Sequence, residues 1–201
     1  MRGPVMTRGF WAALRRDPRG AALLEFAIVA PVMLALYLIA YILSDAVACN
    51  RKVTVATREL ADVTSRFVSM QVADVNNVVA AAGQVLAPYP SDATYATVRI
   101  SEVQVASATQ ATVVWTCTNA DSNSLSAGSL VTMPANMVST SMIPNANATP
   151  ATTGAYFIMG EVSYNYVPPF TFRGAGAMTF TDRIFLVPRS ATNIPLNGSC
   201  S

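Results

Sequence analysis

Between Phe26 and Leu43 the chain reads FAIVAPVMLALYLIAYIL, eighteen residues without a charge. Ala21 to Leu24 lengthen the run, and Glu25 is its only interruption. A helix needs about 20 apolar residues to cross a hydrocarbon core roughly 30 Å thick. A core helix of a water-soluble domain keeps a polar face, and this segment has none. The run predicts a transmembrane helix over residues 21–44.

Charge on the flanks gives an orientation. The first twenty residues hold five arginines against Asp17, a net +4. Beyond the span come Asp45, Arg51 and Lys52. An excess of Lys/Arg before the span keeps that end in the cytoplasm, so the remainder is expected across the membrane. Without those twenty residues, eight basic and ten acidic residues remain, a net −2. The overall +2 thus belongs to the leader, and it is too small to point to a nucleic-acid partner. Only 12% of the 201 residues are charged and none is His, against about 25% charged in an ordinary soluble domain. Without His there is no Ser-His-Asp triad, Cys-His dyad or His-ligated zinc. No catalytic residue, metal centre or cofactor is expected, and the chain does not read as an enzyme.

Three readings of the N-terminus compete. Ala46-Val47-Ala48 resembles the cleavage site of a secretory signal, and Cys49 directly after it that of a lipoprotein. Against both, the apolar run exceeds the 7–15 residues of a usual signal-peptide h-region, and Ala46 stands where a lipoprotein site has a larger aliphatic residue. An unprocessed signal anchor on an extracytoplasmic binding or assembly protein is the second. The third turns on Arg19-Gly20-Ala21-Ala22-Leu23-Leu24-Glu25-Phe26. A carboxylate inside an apolar span is costly unless neutralised or paired. Cleavage after Gly20 would create an α-amine on Ala21, about one helical turn from Glu25. In a packed array of such helices, a neighbour's amine can pair with this carboxylate. Equally, Glu25 can reach the headgroup level from near the end of the span.

The stretch Arg-Gly, four small or apolar residues, Glu25-Phe26, then Ala27-Ile28-Val29-Ala30-Pro31 resembles the N-terminus of TadE-like proteins. These are pseudopilins or minor pilins of the Flp/Tad (tight adherence) type IV pilus system. Gly20, Glu25, Phe26 and Pro31 carry the likeness, which covers about residues 15–60. It implies a basic leader (1–20) removed after Gly20 by a prepilin peptidase. It implies partners among other pilin subunits and the pilus assembly platform, and a place in the bacterial inner membrane with the C-terminal domain in the periplasm. Major Flp pilins are little more than the helix. The large C-terminal part of this chain favours a minor, initiating or tip role.

Pro31 lacks an N–H and predicts a kink near Ala27–Pro31. After the span, Val53, Ala56, Leu60, Val63, Phe67 and Met70 follow helical spacing. One helix is expected to about Met70, and another segment from Asp74 to Leu86, the two making a helical region over 45–87. From Tyr95 the period becomes two. Val98 and Ile100 alternate, then Val103 and Val105 alternate out of phase, which suggests a bulge near Ser101-Glu102. Residues 112–117 read as a second strand, and 156–167 and 178–187 as two more. Residues 119–155, rich in Ser, Thr, Asn, Ala and Pro, read as a long loop or a partly disordered stretch. The fold class expected is α+β, a long N-terminal transmembrane helix continuing into a domain with an antiparallel sheet of about four strands, its β-rich part spanning 88–201.

Three cysteines outside the cytoplasm suggest one pair and one leftover. Cys117–Cys200 would tie the tail to the sheet, and Cys49 would be placed for a lateral contact with another subunit. All three reduced and buried is the alternative. Gly174-Ala175-Gly176 is no phosphate loop. Glu102, Glu161 and Asp182, without His or Lys nearby, read as exposed strand faces. The aromatics from Tyr156 to Phe180 read as sheet core, or in part as a docking face.

Overall fold

A computed structural model of the chain describes residues 18–120, 125–148, 150–170 and 176–200, with side chains from Ala22 onward. The leader up to residue 17, Asp121 and most of the 173–176 connection lie outside the described residues. The chain divides into two compact units after Asp45. Helix α1 (Pro18–Ser65) is 48 residues long and contains Pro31. Its residues Ala22–Leu43 belong to the first unit and are largely exposed.

The second unit, Ala46–Ser201, is α+β. After α1 come β1 (Met70–Gln71), α2 (Val72–Val85), β2 (Ala96–Val105), β3 (Gln110–Thr118), β4 (Leu130–Thr132), β5 (Tyr156–Tyr166), β6 (Met178–Leu186) and β7 (Leu196–Asn197). Five of these form an antiparallel sheet in the order β4-β3-β2-β5-β6, and β1 pairs with β7 in parallel. The sheet has one strand more than the four expected. The addition, β4, is a short edge strand from the polar stretch read as loop. Its three residues are too few to show a period.

Two hydrophobic cores lie on opposite faces of this sheet. On one face, Val53, Ala56 and Leu60 of α1 and Val75, Val78 and Ala82 of α2 pack over Val98, Ile100, Ile158, Val162, Tyr164 and Tyr166. On the other, Val103, Val105, Val113, Phe157, Met159 and Phe185 meet Val131 and Met133, with Leu125, Met137 and Ile143 packed against them. The long polar stretch thus builds the cover of a second core instead of lying over the surface. Its apolar residues come singly or in adjacent pairs such as Met137-Val138 and Met142-Ile143, with no regular period, which hides this in the sequence.

The two cores explain the phase change in β2. Ala96, Val98 and Ile100 face the helices, and Val103 and Val105 face the loop core. Pairing with β5 runs unbroken from Ala96↔Tyr164 to Gln104↔Tyr156, so β2 alternates regularly and only the covered face changes. The register with β3 does shift between Glu102 and Val103, next to the bulge expected at Ser101-Glu102, but the extra residue sits on β3. Glu102 pairs with Trp115 and Val103 with Val113, leaving Val114 as the extra residue. Ala111 and Val113 face the loop core, while Trp115 and Cys117 face the helices.

Helix α1 ends at Ser65, five residues before the Met70 expected. The Arg66 and Phe67 amides turn back onto Val63 and Thr64 carbonyls at 3.2 Å. The buried stripe is Val53, Ala56, Thr57, Leu60, Ala61 and Thr64, while Val63 is 39% exposed. Thr57 and Thr64 enter the core because each hydroxyl donates to the carbonyl four residues back, at 2.8 Å. The helix approaches β5 at Gly160. A Cβ there would lie 3.1 Å from Ala61 Cβ and 3.1 Å from Thr57 O.

Candidate functional site

The first unit supplies one chemical feature, an apolar helical segment with a single carboxylate. Leu23, Phe26, Ile28, Val32, Leu34 and Leu36 are all more than half exposed. The helix is long and apolar enough to cross a membrane. Glu25 is exposed, and Gly20 and Ala21 lie in the helical backbone ahead of it. Ala21 and Glu25 are four residues apart, so they share one helix face. The helix continues through Pro31.

The second unit contains a buried carboxylate that strand-face reasoning places at the surface. Glu102 is fully buried. Its Oε1 accepts the Ile194 N–H at 2.5 Å and its Oε2 accepts the Trp115 Nε1–H at 3.1 Å. The same indole N–H also donates to Ile194 O, at 2.8 Å. Burial raises the Glu102 carboxyl above its ordinary value, and the two hydrogen bonds pull the other way. Glu102 is hidden because the chain returns over it 92 residues later. Nothing local to β2 announces that.

Cys117 and Cys200 form a disulfide with their Cα atoms 5.3 Å apart. Cys49 is fully buried in the helix-covered core. That burial rules out the lateral contact expected of it. It also counts against a lipid-modified N-terminus at Cys49, since Ala46 and Cys49 are both buried residues of α1.

Glu161 is the centre of an ion-pair network on the loop-core face, beyond the reach of that core. Arg99 Nη1 donates to its Oε2 at 3.2 Å and Arg183 Nη2 to the same oxygen at 3.0 Å. Thr97, Ser163 and Thr181 line the same shallow depression of about 270 Å³. Only 14% of the Glu161 side chain is exposed, so it too is no free surface group. The aromatics divide. Tyr164 and Tyr166 are buried, with Tyr89 edge-on to them at 6.1 and 6.4 Å, whereas Phe170 is exposed.

Among the described residues, no three His, Cys, Asp or Glu side chains come close enough to hold a metal ion. Of the two carboxylates described, Glu102 anchors a distant chain segment and Glu161 of β5 ties that strand to both of its neighbours, β2 and β6. Compared with known proteins, the chain matches no family model, no curated protein and no solved structure.

Proposed function

We propose that this chain is a TadE-like minor pilin or pseudopilin, processed after Gly20 and taking part in assembly of an Flp/Tad-type pilus and in adherence. The observation that carries the reading is a bare apolar helical segment, Ala22–Leu43, whose lone carboxylate stands one turn from Ala21. In a bilayer, the span holds the protein until assembly. Removal of the leader by a prepilin peptidase frees the Ala21 amine. Glu25 then pairs with the amine of a neighbouring subunit, which fixes the register between adjacent helices. The partners are the peptidase, other pilin subunits and the assembly platform, and the location is the bacterial inner membrane with the second unit in the periplasm.

One observation favours a different reading, an unprocessed signal anchor carrying an extracytoplasmic binding or assembly domain. Residues 18–21 are helical, so a peptidase would have to unwind this turn to reach the Gly20–Ala21 bond. Intact-mass measurement of the membrane-extracted protein separates the two. A mature chain starting at Ala21 supports the pilin reading, and a chain starting at Met1 overturns it in favour of the anchor.

A further inference from the structure

Residues 188–200 have little secondary structure of their own, only the two residues of β7, yet they bind four separate elements. The Arg189 N–H donates to Ser65 O at 2.8 Å, and the Arg189 side chain reaches Asp62 at 2.7 Å, both at the end of α1. Ile194 is fully buried, its N–H held by Glu102 of β2 and its carbonyl by Trp115 of β3. Pro195 O accepts the Met70 N–H at 3.0 Å beside the β1–β7 ladder. Cys200 closes the segment onto Cys117.

The balance of this arrangement is uneven. Docking takes the Glu102 carboxylate out of water, which opposes it, and undocking returns that carboxylate to solvent. The ladder at the far end is two residue pairs long. A disulfide at Cys200 keeps the segment close to its seat whatever its intrinsic affinity, and local openings of this kind are the least costly in a fold. We propose that residues 188–200 are a redox-gated strap, docked while Cys117–Cys200 is oxidised and released as a unit on reduction. Release bares Trp115 and Met70 while the five-stranded sheet persists.

Closure is a thiol–disulfide exchange. One cysteine thiolate attacks a sulfur of an oxidant's disulfide, forming a mixed disulfide and expelling one oxidant thiolate. The second cysteine thiolate then attacks its partner's sulfur, and the oxidant's other sulfur leaves. The two cysteines lose two electrons and two protons, and the oxidant's disulfide leaves reduced to two thiols. Opening is the same exchange run by a dithiol reductant. The strap rests on the second unit alone, independently of the pilin reading.

The test is hydrogen exchange on the full-length chain in detergent, before and after reduction with dithiothreitol and again after reoxidation with oxidised glutathione. Reduction is expected to speed exchange in peptides covering 188–200 by at least about tenfold, with those covering 156–166 changing less than about twofold. Reoxidation should restore the protection, and C117S/C200S should match the reduced chain. Unchanged protection of 188–200 on reduction would overturn the strap. So would an equal loss across 156–166, which would make the bond a staple for the whole sheet.

Discussion

Glu102, on the central strand of the sheet, accepts the backbone N–H of Ile194 at 2.5 Å, although 92 residues separate them. A carboxylate excluded from water at this point makes stability depend on pH. Burial holds the Glu102 carboxyl above its ordinary 4.5, so the folded chain binds this proton more tightly than the unfolded chain. The sign follows from linkage. The contribution is fully present below the unfolded value and is lost as pH rises through the higher folded value.

Thermal unfolding of the detergent-solubilised chain between pH 4.5 and 8 should therefore show stability falling with rising pH. Glu102→Gln should flatten that slope. A wild-type minus variant difference that does not move with pH would show that Glu102 is not the titrating group. Glu102→Ala, which leaves the Ile194 N–H without its acceptor, should cost about 1–3 kcal/mol.

Gly160 and Gly154 face different obstacles. At Gly160 a Cβ meets Ala61 and Thr57 of α1 at 3.1 Å, so Gly160→Ala should cost about 1–3 kcal/mol by pushing the helix from the sheet. At Gly154 a Cβ would fall 2.0 Å from the Val105 carbonyl oxygen. Gly154→Ala must shift backbone, and its loss in denaturant midpoint should exceed that of Gly160→Ala.

Two single-residue deletions in β3 should behave oppositely. Val114 is the extra residue opposite Glu102/Val103. Removing it leaves Trp115 opposite Glu102 and Cys117 on the helix-covered face. Removing Thr116 places Cys117 directly after Trp115, and alternation then turns it to the far face, away from Cys200. Thiol titration of the denatured, unreduced proteins should find one thiol in the Val114 deletion and three in the Thr116 deletion.

Leu36→Arg puts a charge near the middle of the apolar segment. The insertion cost at a helix centre is about 2.5–3.5 kcal/mol. Carbonate extraction of membranes should recover much less of this variant in the pellet. An undiminished membrane fraction would count against residues 21–44 as the span.

Glu25→Ala tests the assembly role apart from anchoring. Leader removal should stay largely intact, because Gly20 and Ala21 are unchanged, while pilus assembly falls. Normal pili in this variant would refute the pairing of Glu25 with an N-terminal amine.

Periodicity made the helices and the main strands legible, because each has one face covered along much of its length. It misled where that condition fails. In β2 the cover passes from one face to the other, and the phase of Val98, Ile100, Val103 and Val105 changes without an extra residue in β2 itself. In β3 the bulge at Val114 coincides with the same change of cover, so 111, 113, 115 and 117 read as an undisturbed alternation. Glu102 and the loop core were illegible for a shared reason. Each is buried by segments distant in the chain, and no local pattern records them. Val63 looked like core because it is apolar at the right spacing. Thr57 and Thr64, which satisfy their own hydroxyls, take the buried positions instead.

The two cores on opposite faces of one sheet also constrain the order in which the second unit can form. Strands β2 and β5 contribute to both, and their pairing joins Ala96 to Tyr164 and Gln104 to Tyr156. Neither core is complete until that pairing exists, so the segment between the two strands has to be looped out, at an entropic cost of closure. Loss of that one pairing would open both cores together.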